Sequence, residues 1–378
     1  MIKKNLLLTP GPTPVPSEVL LSMARPAIHH RTPQFMAIFK EMNENLKYVF
    51  QTKHDVFTFA CSGTGAMEAT VANLLSGGDT AICVQAGKFG ERWGEICKAY
   101  GITAVIIDVE WGDAVTPEQI KKALDQHKNA KAVFTTLCET STGAGIDLKA
   151  IADVLRPRAA VLVTDAISAL GGMELRTDEW GVDVVVSGSQ KGLMIPPGLG
   201  FCSISPKAWQ LVEQSKSPRY YFDFRAAKAA LDKTDTPYTP AVSLCIALNE
   251  ALKMLRQETL EQAWARQRRL CEAIRAAMLA LGLKLYAKKP AEVVTAVCVP
   301  QGVDGEKLVK IMRDDYGITI AGGQEQLKGK IFRFASLGFV NEFDIMTGIS
   351  CLEIVLAKLG YTFTAGAGVG AAQKIFAA

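Results

Sequence analysis

Short runs of β-branched and other apolar residues recur about every 20 to 30 residues from Asp55 onward. Between the runs, apolar residues fall at helical intervals, as Met67, Val71 and Leu74 do before a glycine pair where a helix would end. A strand, a helix and another strand in repeated succession form a parallel sheet with helices on both faces. The predicted strands are Val56–Phe59, Ala81–Val84, Val105–Ile107, Ala132–Thr136, Ala160–Thr164 and Val182–Val186.

A change of pattern past Pro240 indicates a second, smaller domain. Two long helical stripes, 244–255 and 270–281, are followed by two strand-like stretches and two amphipathic helices, which is an α+β arrangement. We expect a large domain over residues 17–257 and a small domain formed by residues 1–16 and 258–378. The tail around residues 364–370, rich in Gly and Ala, is predicted to be a loop.

Composition narrows the partners and the cellular location. The 378 residues carry 42 Lys and Arg against 38 Asp and Glu, a net charge of +4, so electrostatics gives no reason to expect nucleic acid or an anionic membrane as a partner. Nine cysteines without a C-x-x-C pair, and four histidines, argue against a disulfide framework or a metal site. Residues Met1 to Leu8 hold too few apolar residues for a signal peptide, and a cytoplasmic location is expected.

The segment from Cys61 to Glu68 joins a predicted strand to a predicted helix through small hydroxyl and glycine residues. A helix N-terminus has unpaired backbone N–H groups and about half a positive charge, so it binds a phosphate without a lysine. A plain capped turn uses the same residue types and stays an alternative. The segment matches neither G-x-G-x-x-G nor a P-loop, so it does not predict a nucleotide site.

Two later predicted strands end in polar residues that a packed interior does not require. Asp165 closes the run Ala160–Thr164, and Lys191 follows the run that ends at Val186. Ligands of open α/β sheets bind at the carboxyl ends of the strands, so the two side chains are expected to meet in one site. A partly buried salt bridge between them is the alternative.

A phosphate cradle, a carboxylate and a lysine are together the requirements of pyridoxal phosphate. Its aldehyde needs an amine, and its pyridine nitrogen needs an anion to remain protonated. With these residues the sequence resembles the class V aminotransferases, a branch of the PLP-dependent transferase fold type I that includes alanine–glyoxylate and serine–pyruvate aminotransferases. The resemblance is carried by residues Leu7–Pro12, His30–Pro33, Ser62–Thr64, Asp165–Ser168, Ser187–Lys191 and Arg333, with Ser-Gly-Ser-Gln-Lys the most specific part.

The resemblance implies a role for each matching residue. Lys191 would be the Schiff-base lysine whose freed amine moves the substrate α-proton, and Asp165 would be the partner of the ring nitrogen. Thr140 would contact the ring 3′-oxygen, Ile167 would pack under the ring, and Phe89 would stack on its face. The residues that match phosphate contacts are Ser62, Gly63, Thr64 and Gln190.

Two further matches concern the substrate and the assembly. Arg333 resembles the arginine that binds the substrate carboxylate by a two-pronged hydrogen bond, and a surface arginine on an edge strand is the alternative. Tyr238 and Thr239 match a loop that reaches the phosphate of the neighbouring subunit, so a homodimer is expected. A proline-rich turn before the next helix is the alternative for this loop.

The resemblance predicts a ping-pong transamination from alanine or serine to glyoxylate or pyruvate, because the sequence places no second basic residue in the pocket. Aminoethylphosphonate and ureidoglycine aminotransferases are close alternatives. A cysteine desulfurase would usually have His in place of Gln190 and a cysteine between Gly317 and Phe332, and the sequence has neither. A non-catalytic α/β ligand-binding protein with the same glycine turn is the alternative of another class.

Overall fold

The computed structural model of the protein describes residues 4–378. Residues 1–3, which begin both the predicted small domain and the stretch considered as a signal peptide, lie outside the described residues. The strands in the described chain are β1 (Leu6–Leu7), β2 (Val56–Phe59), β3 (Thr80–Gln85), β4 (Thr103–Asp108), β5 (Ala130–Thr136), β6 (Cys138–Glu139), β7 (Ala144–Gly145), β8 (Val161–Asp165), β9 (Val184–Gly188), β10 (Gly200–Ile204), β11 (Val294–Cys298), β12 (Ile318–Thr319), β13 (Ala321–Gly322) and β14 (Ile331–Ala335). The α-helices are α1 (Ser17–Met23), α2 (Pro33–Phe50), α3 (Gly63–Leu74), α4 (Lys88–Ala99), α5 (Pro117–Gln126), α6 (Leu148–Leu155), α7 (Thr177–Trp180), α8 (Pro206–Gln214), α9 (Phe224–Leu231), α10 (Val242–Glu258), α11 (Leu260–Ala280), α12 (Gly305–Tyr316), α13 (Glu342–Lys358) and α14 (Ala367–Ala377).

The largest sheet has seven strands in the order β2-β10-β9-β8-β5-β3-β4. Strand β10 runs antiparallel to both of its neighbours, and the other pairs in the sheet are parallel. The six predicted strands correspond to β2, β3, β4, β5, β8 and β9, which confirms the mostly parallel α/β sheet. Strand β10 is missing from the prediction, because its five residues begin with glycine and contain one β-branched residue.

The inner strands of the large sheet are buried on both faces, as their apolar residues require, whereas the edge strand β4 is only partly buried. In β8, Leu162 packs into a core shared with α2 and α10, whereas Val161 and Val163 pack into a second core shared with α3 and α8. Successive side chains of a strand point to opposite faces, so the middle of each strand is committed to these two cores. Polar groups that serve a ligand are therefore confined to the strand ends.

A three-stranded antiparallel sheet, in the order β11-β14-β13, lies in the C-terminal part of the chain. It shares a third core with α11, α12, α13 and α14. The N-terminal segment joins this part: β1 pairs with β12, and the Leu8 carbonyl accepts a hydrogen bond from the Ala335 amide at the end of β14. The domain boundary between residues 257 and 258 stays a prediction.

The two long helical stripes are confirmed as α10 and α11. The loop predicted around residues 364–370 is wrong, because α14 begins at Ala367 and packs against α11. Alanine favours helix, and the small side chains of α14 let the two helices approach closely, which outweighs the glycines.

No helix within residues 4–378 is both long enough and apolar enough to span a bilayer.

Candidate active site

One cavity at the carboxyl ends of β5, β8 and β9 collects most of the predicted site residues. Its lining brings together the start of α3, the first turn of α4, and the residues that follow the three strands. Because these strands are neighbours and parallel, their ends meet at one edge of the sheet, as expected for a ligand site in this class of fold. The lining residues are Ser62, Gly63, Thr64, Phe89, Arg92, Cys138, Thr140, Asp165, Ile167, Ser168, Gln190 and Lys191.

The start of α3 supplies unpaired backbone N–H donors to this cavity. Ser62 is the N-cap residue, yet its hydroxyl makes no capping hydrogen bond, so the plain capped turn is not what the structure shows. The first amides of the helix, at Gly63 and Thr64, have no intrahelical acceptor. A Cβ atom on Gly63 would overlap the side chain of Ile167, so glycine is what lets α3 begin so close to the end of β8. This helix N-terminus is suited to bind a phosphate.

Asp165 is the last residue of β8 and is only 4% exposed. Its Oδ1 accepts a 2.7 Å hydrogen bond from the Ile167 amide. Burial is the main cause that raises the pKa of Asp165 to about 7, and the nearby carboxylate of Glu139 also raises it. Arg92 and Lys191 act in the opposite direction. A buried carboxyl group of this kind becomes ionised when a cation binds against it, which is the environment that a protonated ring nitrogen requires.

Lys191 lies just beyond β9, where the N-terminal segment covers it. Its ammonium group donates to the Pro10 carbonyl, and the Thr13 hydroxyl donates to the Lys191 carbonyl at 2.9 Å. A Cβ atom on Gly11, whose φ is +117°, would overlap the lysine side chain. Burial is the main cause that lowers the pKa of Lys191 to about 8. No ion pair within residues 4–378 joins Lys191 to Asp165, so the two residues do not form the simple salt bridge considered above.

Arg333 lies in β14 and is 5% exposed, which rules out the surface arginine. Its Nε and Nη2 donate to the Gly322 carbonyl at 3.0 and 2.7 Å, and its Nη1 donates to the Thr140 carbonyl at 2.8 Å. A guanidinium group has five N–H donors, so these bonds leave one on each terminal nitrogen. That pair matches the two oxygens of a carboxylate. Burial lowers the pKa of Arg333 to about 10, at which the group remains a cation at neutral pH.

Phe89 is the second residue of α4 and is half-buried, so it is not an ordinary core residue. Arg92 follows one helical turn later, and its guanidinium carbon lies 5.2 Å from the centre of the Phe89 ring. No hydrogen bond or ion pair to the described residues holds this guanidinium group. Arg92 is therefore a second basic residue in the pocket, which the sequence analysis did not place there. The i,i+3 spacing from Phe89 is the sequence signal that would have placed Arg92 there.

Tyr238 and Thr239 are not brought to this cavity by the single chain. They line a separate pocket with Thr58, Phe59 and their flanking prolines. The Tyr238 ring packs against the rings of Tyr220 and Tyr221, which are 80% and 40% exposed. Contact between this loop and a neighbouring subunit therefore stays a proposal.

Comparison with known proteins decides the family. The family model described as "Aminotransferase class-V" matches residues 6–339, which include every predicted site residue. The chain belongs to the class V aminotransferase family.

Three known proteins are examples of those to which the chain is similar. The chain is 47% identical to the "Soluble hydrogenase, small subunit" of a Synechococcus strain, over 99% of both chains. It is 36% identical to the L-aspartate–glyoxylate aminotransferase of Paracoccus denitrificans, over 99% of this chain and 96% of that one. It superposes on the crystal structure of an alanine–glyoxylate aminotransferase from Nostoc with a TM-score of 0.91 and 31% identity, over 94% and 96% of the two chains.

This class V aminotransferase has the PLP-dependent transferase fold type I, and its cofactor is pyridoxal 5′-phosphate. The residues of the cavity fit that group, because a phosphate-binding helix N-terminus, a buried carboxylate and an amine surround one space. Gln190 also fits a phosphate site, since its side-chain oxygen is buried without a hydrogen-bond partner in the described chain. Turning the amide would present N–H donors to a phosphate. Within residues 4–378, no group of three or more His, Cys, Asp or Glu side chains is arranged to hold a metal ion.

Proposed function

We propose that this transaminase moves the amino group of alanine or serine to glyoxylate or pyruvate in a ping-pong reaction. Bound pyridoxal phosphate supplies the carbonyl carbon that carries the amino group and a ring that withdraws electrons from the substrate α-carbon. The observation that supports the proposal is the meeting of Asp165 and Lys191 in one cavity, with Arg333 bonded to the Thr140 carbonyl in the cavity wall.

Each of these residues has a separate task in the proposed reaction. Arg333 orients the substrate by its α-carboxylate, using the free N–H on each terminal nitrogen. Lys191 moves the α-proton, and its pKa of about 8 leaves about one-tenth of the amine neutral at pH 7, far more than an ordinary lysine has. The Pro10 carbonyl holds the amine when it is free. Asp165 remains an anion beside the ring nitrogen.

The other predicted residues hold the cofactor in place. The α3 amides and the side chains of Ser62, Thr64 and Gln190 are proposed to bind its phosphate. The remaining predicted contacts with the ring are Phe89 on one face, Ile167 under it, and the Thr140 hydroxyl at the 3′-oxygen.

A second candidate donor, aspartate, is favoured by Arg92. Its guanidinium group lines the cavity and forms no ion pair with a described residue, so it offers a second binding point for a carboxylate. A relative that is 36% identical is named for aspartate and glyoxylate, which agrees with this candidate. The proposed acceptors, glyoxylate and pyruvate, are the same for either donor.

Cysteine desulfurase chemistry is disfavoured by the state of the two nearby thiols. Burial raises the pKa of Cys61 to about 12, and burial also raises the pKa of Cys138 well above its usual value. Because the thiolate is the reactive form, neither sulfur is prepared to act as a nucleophile near neutral pH.

The test of the proposed function begins with the purified wild-type protein. It should be yellow, lose its visible band on borohydride reduction, and carry the pyridoxyl mass on Lys191. Cofactor absorbance then identifies the donor from a panel of alanine, serine, aspartate, aminoethylphosphonate and ureidoglycine. The acceptor is the oxo acid, among glyoxylate, pyruvate and 2-oxoglutarate, that restores the original absorbance. A colourless protein that ignores added cofactor would support the non-catalytic alternative.

Replacement of Arg333 by lysine should raise the KM for every carboxylate donor about 30-fold and leave the cofactor bound. Lysine keeps the charge but cannot make two parallel hydrogen bonds, and the loss of a bond to a charged group costs about 1.5 to 3 kcal/mol. Initial rates over a range of donor concentrations measure the effect. Arg158→Lys, at an exposed pair with Asp125, is the matched control. Loss of the visible band in Arg333→Lys would contradict the assignment.

We also propose that the protein is a homodimer in which Tyr238 and Thr239 contact the phosphate of the neighbouring subunit. The exposed aromatic rings around Tyr238 support this proposal. Sedimentation should give twice the 40.8 kDa chain mass. Cofactor affinity in Tyr238→Phe and Thr239→Val should separate the two hydroxyl groups, and a monomer with undiminished activity would contradict the proposal. A cytoplasmic location stays a prediction.

A further inference from the structure

Glu139 is a buried acid that the proposed reaction does not use. It ends β6, is 2% exposed, and lies between two residues that line the cavity, Cys138 and Thr140. Its carboxylate accepts hydrogen bonds from protein donors on both oxygens. These donors are the amides of Phe89 at 3.1 Å, Gly90 at 2.8 Å and Ser141 at 3.1 Å, and the Ser141 hydroxyl at 2.6 Å. With its oxygens occupied in this way, Glu139 is not placed to accept a proton from the substrate.

On one side, Glu139 takes the place of a helix cap for α4. The N-cap residue of this helix is Gly87, which has no side chain to bond the first amides. A Cβ atom on Gly87 would lie 2.6 Å from the Glu139 side chain, so the glycine makes room for the carboxylate. An anion at a helix N-terminus is stabilised by the unpaired N–H groups and by the helix dipole. The backbone that carries Phe89 is therefore anchored by Glu139.

On the other side, Glu139 fixes the turn that meets the substrate arginine. Its bonds to Ser141 hold the chain on both sides of Thr140, and the Thr140 carbonyl accepts the hydrogen bond from Arg333 Nη1. The Glu139 carboxylate thus holds two parts of the backbone. One carries the Phe89 ring, and the other carries the Thr140 carbonyl that orients the Arg333 guanidinium group.

We propose that Glu139 is a positioning residue that couples the placement of Phe89 on the cofactor to the orientation of Arg333 toward the substrate carboxylate. This inference rests on the proposed function, because it assigns the two positioned side chains the roles given above. It adds a residue that acts through others and that touches neither substrate nor cofactor.

Glu139→Gln tests the proposal with almost no change in volume. An amide replaces one oxygen acceptor with two N–H donors, so either the α4 amides or Ser141 meet a donor instead of an acceptor. We expect kcat/KM to fall about 10-fold to 100-fold, the range that follows from losing bonds to a charged group. The KM for the donor should rise, the visible circular dichroism of the bound cofactor should weaken, and hydrogen exchange at Phe89 and Gly90 should become faster.

The comparison variant is Ser141→Ala, which removes one donor to Glu139 and the acceptor for the Lys88 amide but keeps the bonds of Glu139 to the Phe89 and Gly90 amides. It should change each measurement less than Glu139→Gln does, because the two amides keep their acceptor. A Glu139→Gln holoenzyme with faster exchange but wild-type KM and circular dichroism would overturn the proposal, because Glu139 would then serve folding alone. If Glu139→Gln does not fold, Glu139→Asp keeps the charge and withdraws it by one methylene group. The same joint change in KM and dichroism is expected, and unchanged values would overturn the proposal.

The wild-type protein separates this proposal from the proposed function. Wild-type protein that transaminates no donor would reject the proposed function. An active wild type with an unaffected Glu139→Gln variant would reject only the role of Glu139.

Discussion

Lys191→Ala is expected to lower kcat about 10³-fold or more with every amino donor. General acid–base groups contribute about 10² to 10⁴ in rate, and Lys191 supplies the only amine to the cavity lining within residues 4–378. The variant should fold, because the side chain makes a single hydrogen bond, to Pro10, and alanine leaves the backbone bonds to Thr13 in place. Single-turnover absorbance measurements, with cofactor and donor in excess, measure the loss of the proton-transfer step.

Two comparisons make the Lys191→Ala result specific. Lys149→Ala, which removes an exposed lysine paired with Asp153 on α6, should keep wild-type turnover. Added methylamine should restore part of the rate to Lys191→Ala, because a small amine can enter the vacated space and move the α-proton. Undiminished kcat in Lys191→Ala, or a pyridoxyl mass on another lysine of the reduced wild-type protein, would show that the amine has been assigned wrongly.

The architecture of the large sheet was predictable because its inner strands are buried on both faces. Strands such as β8 and β9 are continuous apolar runs, and continuous runs are visible without any knowledge of tertiary contacts. Strand β10 is different, since it is stabilised by pairing with β2 and β9 rather than by its own composition. Helix α14 is likewise held by its contact with α11, which no local pattern encodes.

The candidate site was predictable to the extent that strand ends determine it. Asp165 and Lys191 follow neighbouring strands, so their meeting follows from topology alone. Arg92 was missed although its i,i+3 spacing from Phe89 is visible in the sequence, and Glu139 was missed because a single acidic residue before a turn has the same sequence signature as a surface residue. Their roles depend on contacts across the chain, such as the 2.8 Å bond from the Gly90 amide to Glu139. The role proposed for Tyr238 would require a neighbouring subunit and therefore does not follow from the topology of one chain.

Asp165→Asn is expected to lower kcat about 10³-fold while the side chain keeps its shape. The amide oxygen can still accept the 2.7 Å bond from the Ile167 amide, so the change is confined to the charge. Removing one partner of a buried charge pair costs about 3 to 5 kcal/mol, and about 1.4 kcal/mol corresponds to a factor of ten. Without the anion, the ring nitrogen loses its proton near neutral pH and withdraws electrons from the α-carbon less strongly. Half-reaction rates with saturating donor measure this loss, and Asp153→Asn at an exposed pair on α6 is the control.

Asp165→Asn should stabilise the cofactor-free protein, although it should slow the reaction of the cofactor-bound protein. The gain in stability reports the effect of removing the Asp165 charge. Burial raises the pKa of Asp165 in the folded protein from 3.8 to about 7, so the folded state binds a proton more tightly than the unfolded state. That contribution to stability is fully present below pH 3.8 and is lost as the pH rises through 7. Asparagine does not titrate, so at pH 8 the cofactor-free Asp165→Asn should melt at a higher temperature than the wild type, whereas added pyridoxal phosphate should stabilise it less. The cofactor-free variant and the wild type should therefore differ in the pH dependence of Tm between pH 4 and 8. If they do not differ, Asp165 does not titrate as a buried acid in this range, and another group must be the partner of the ring nitrogen.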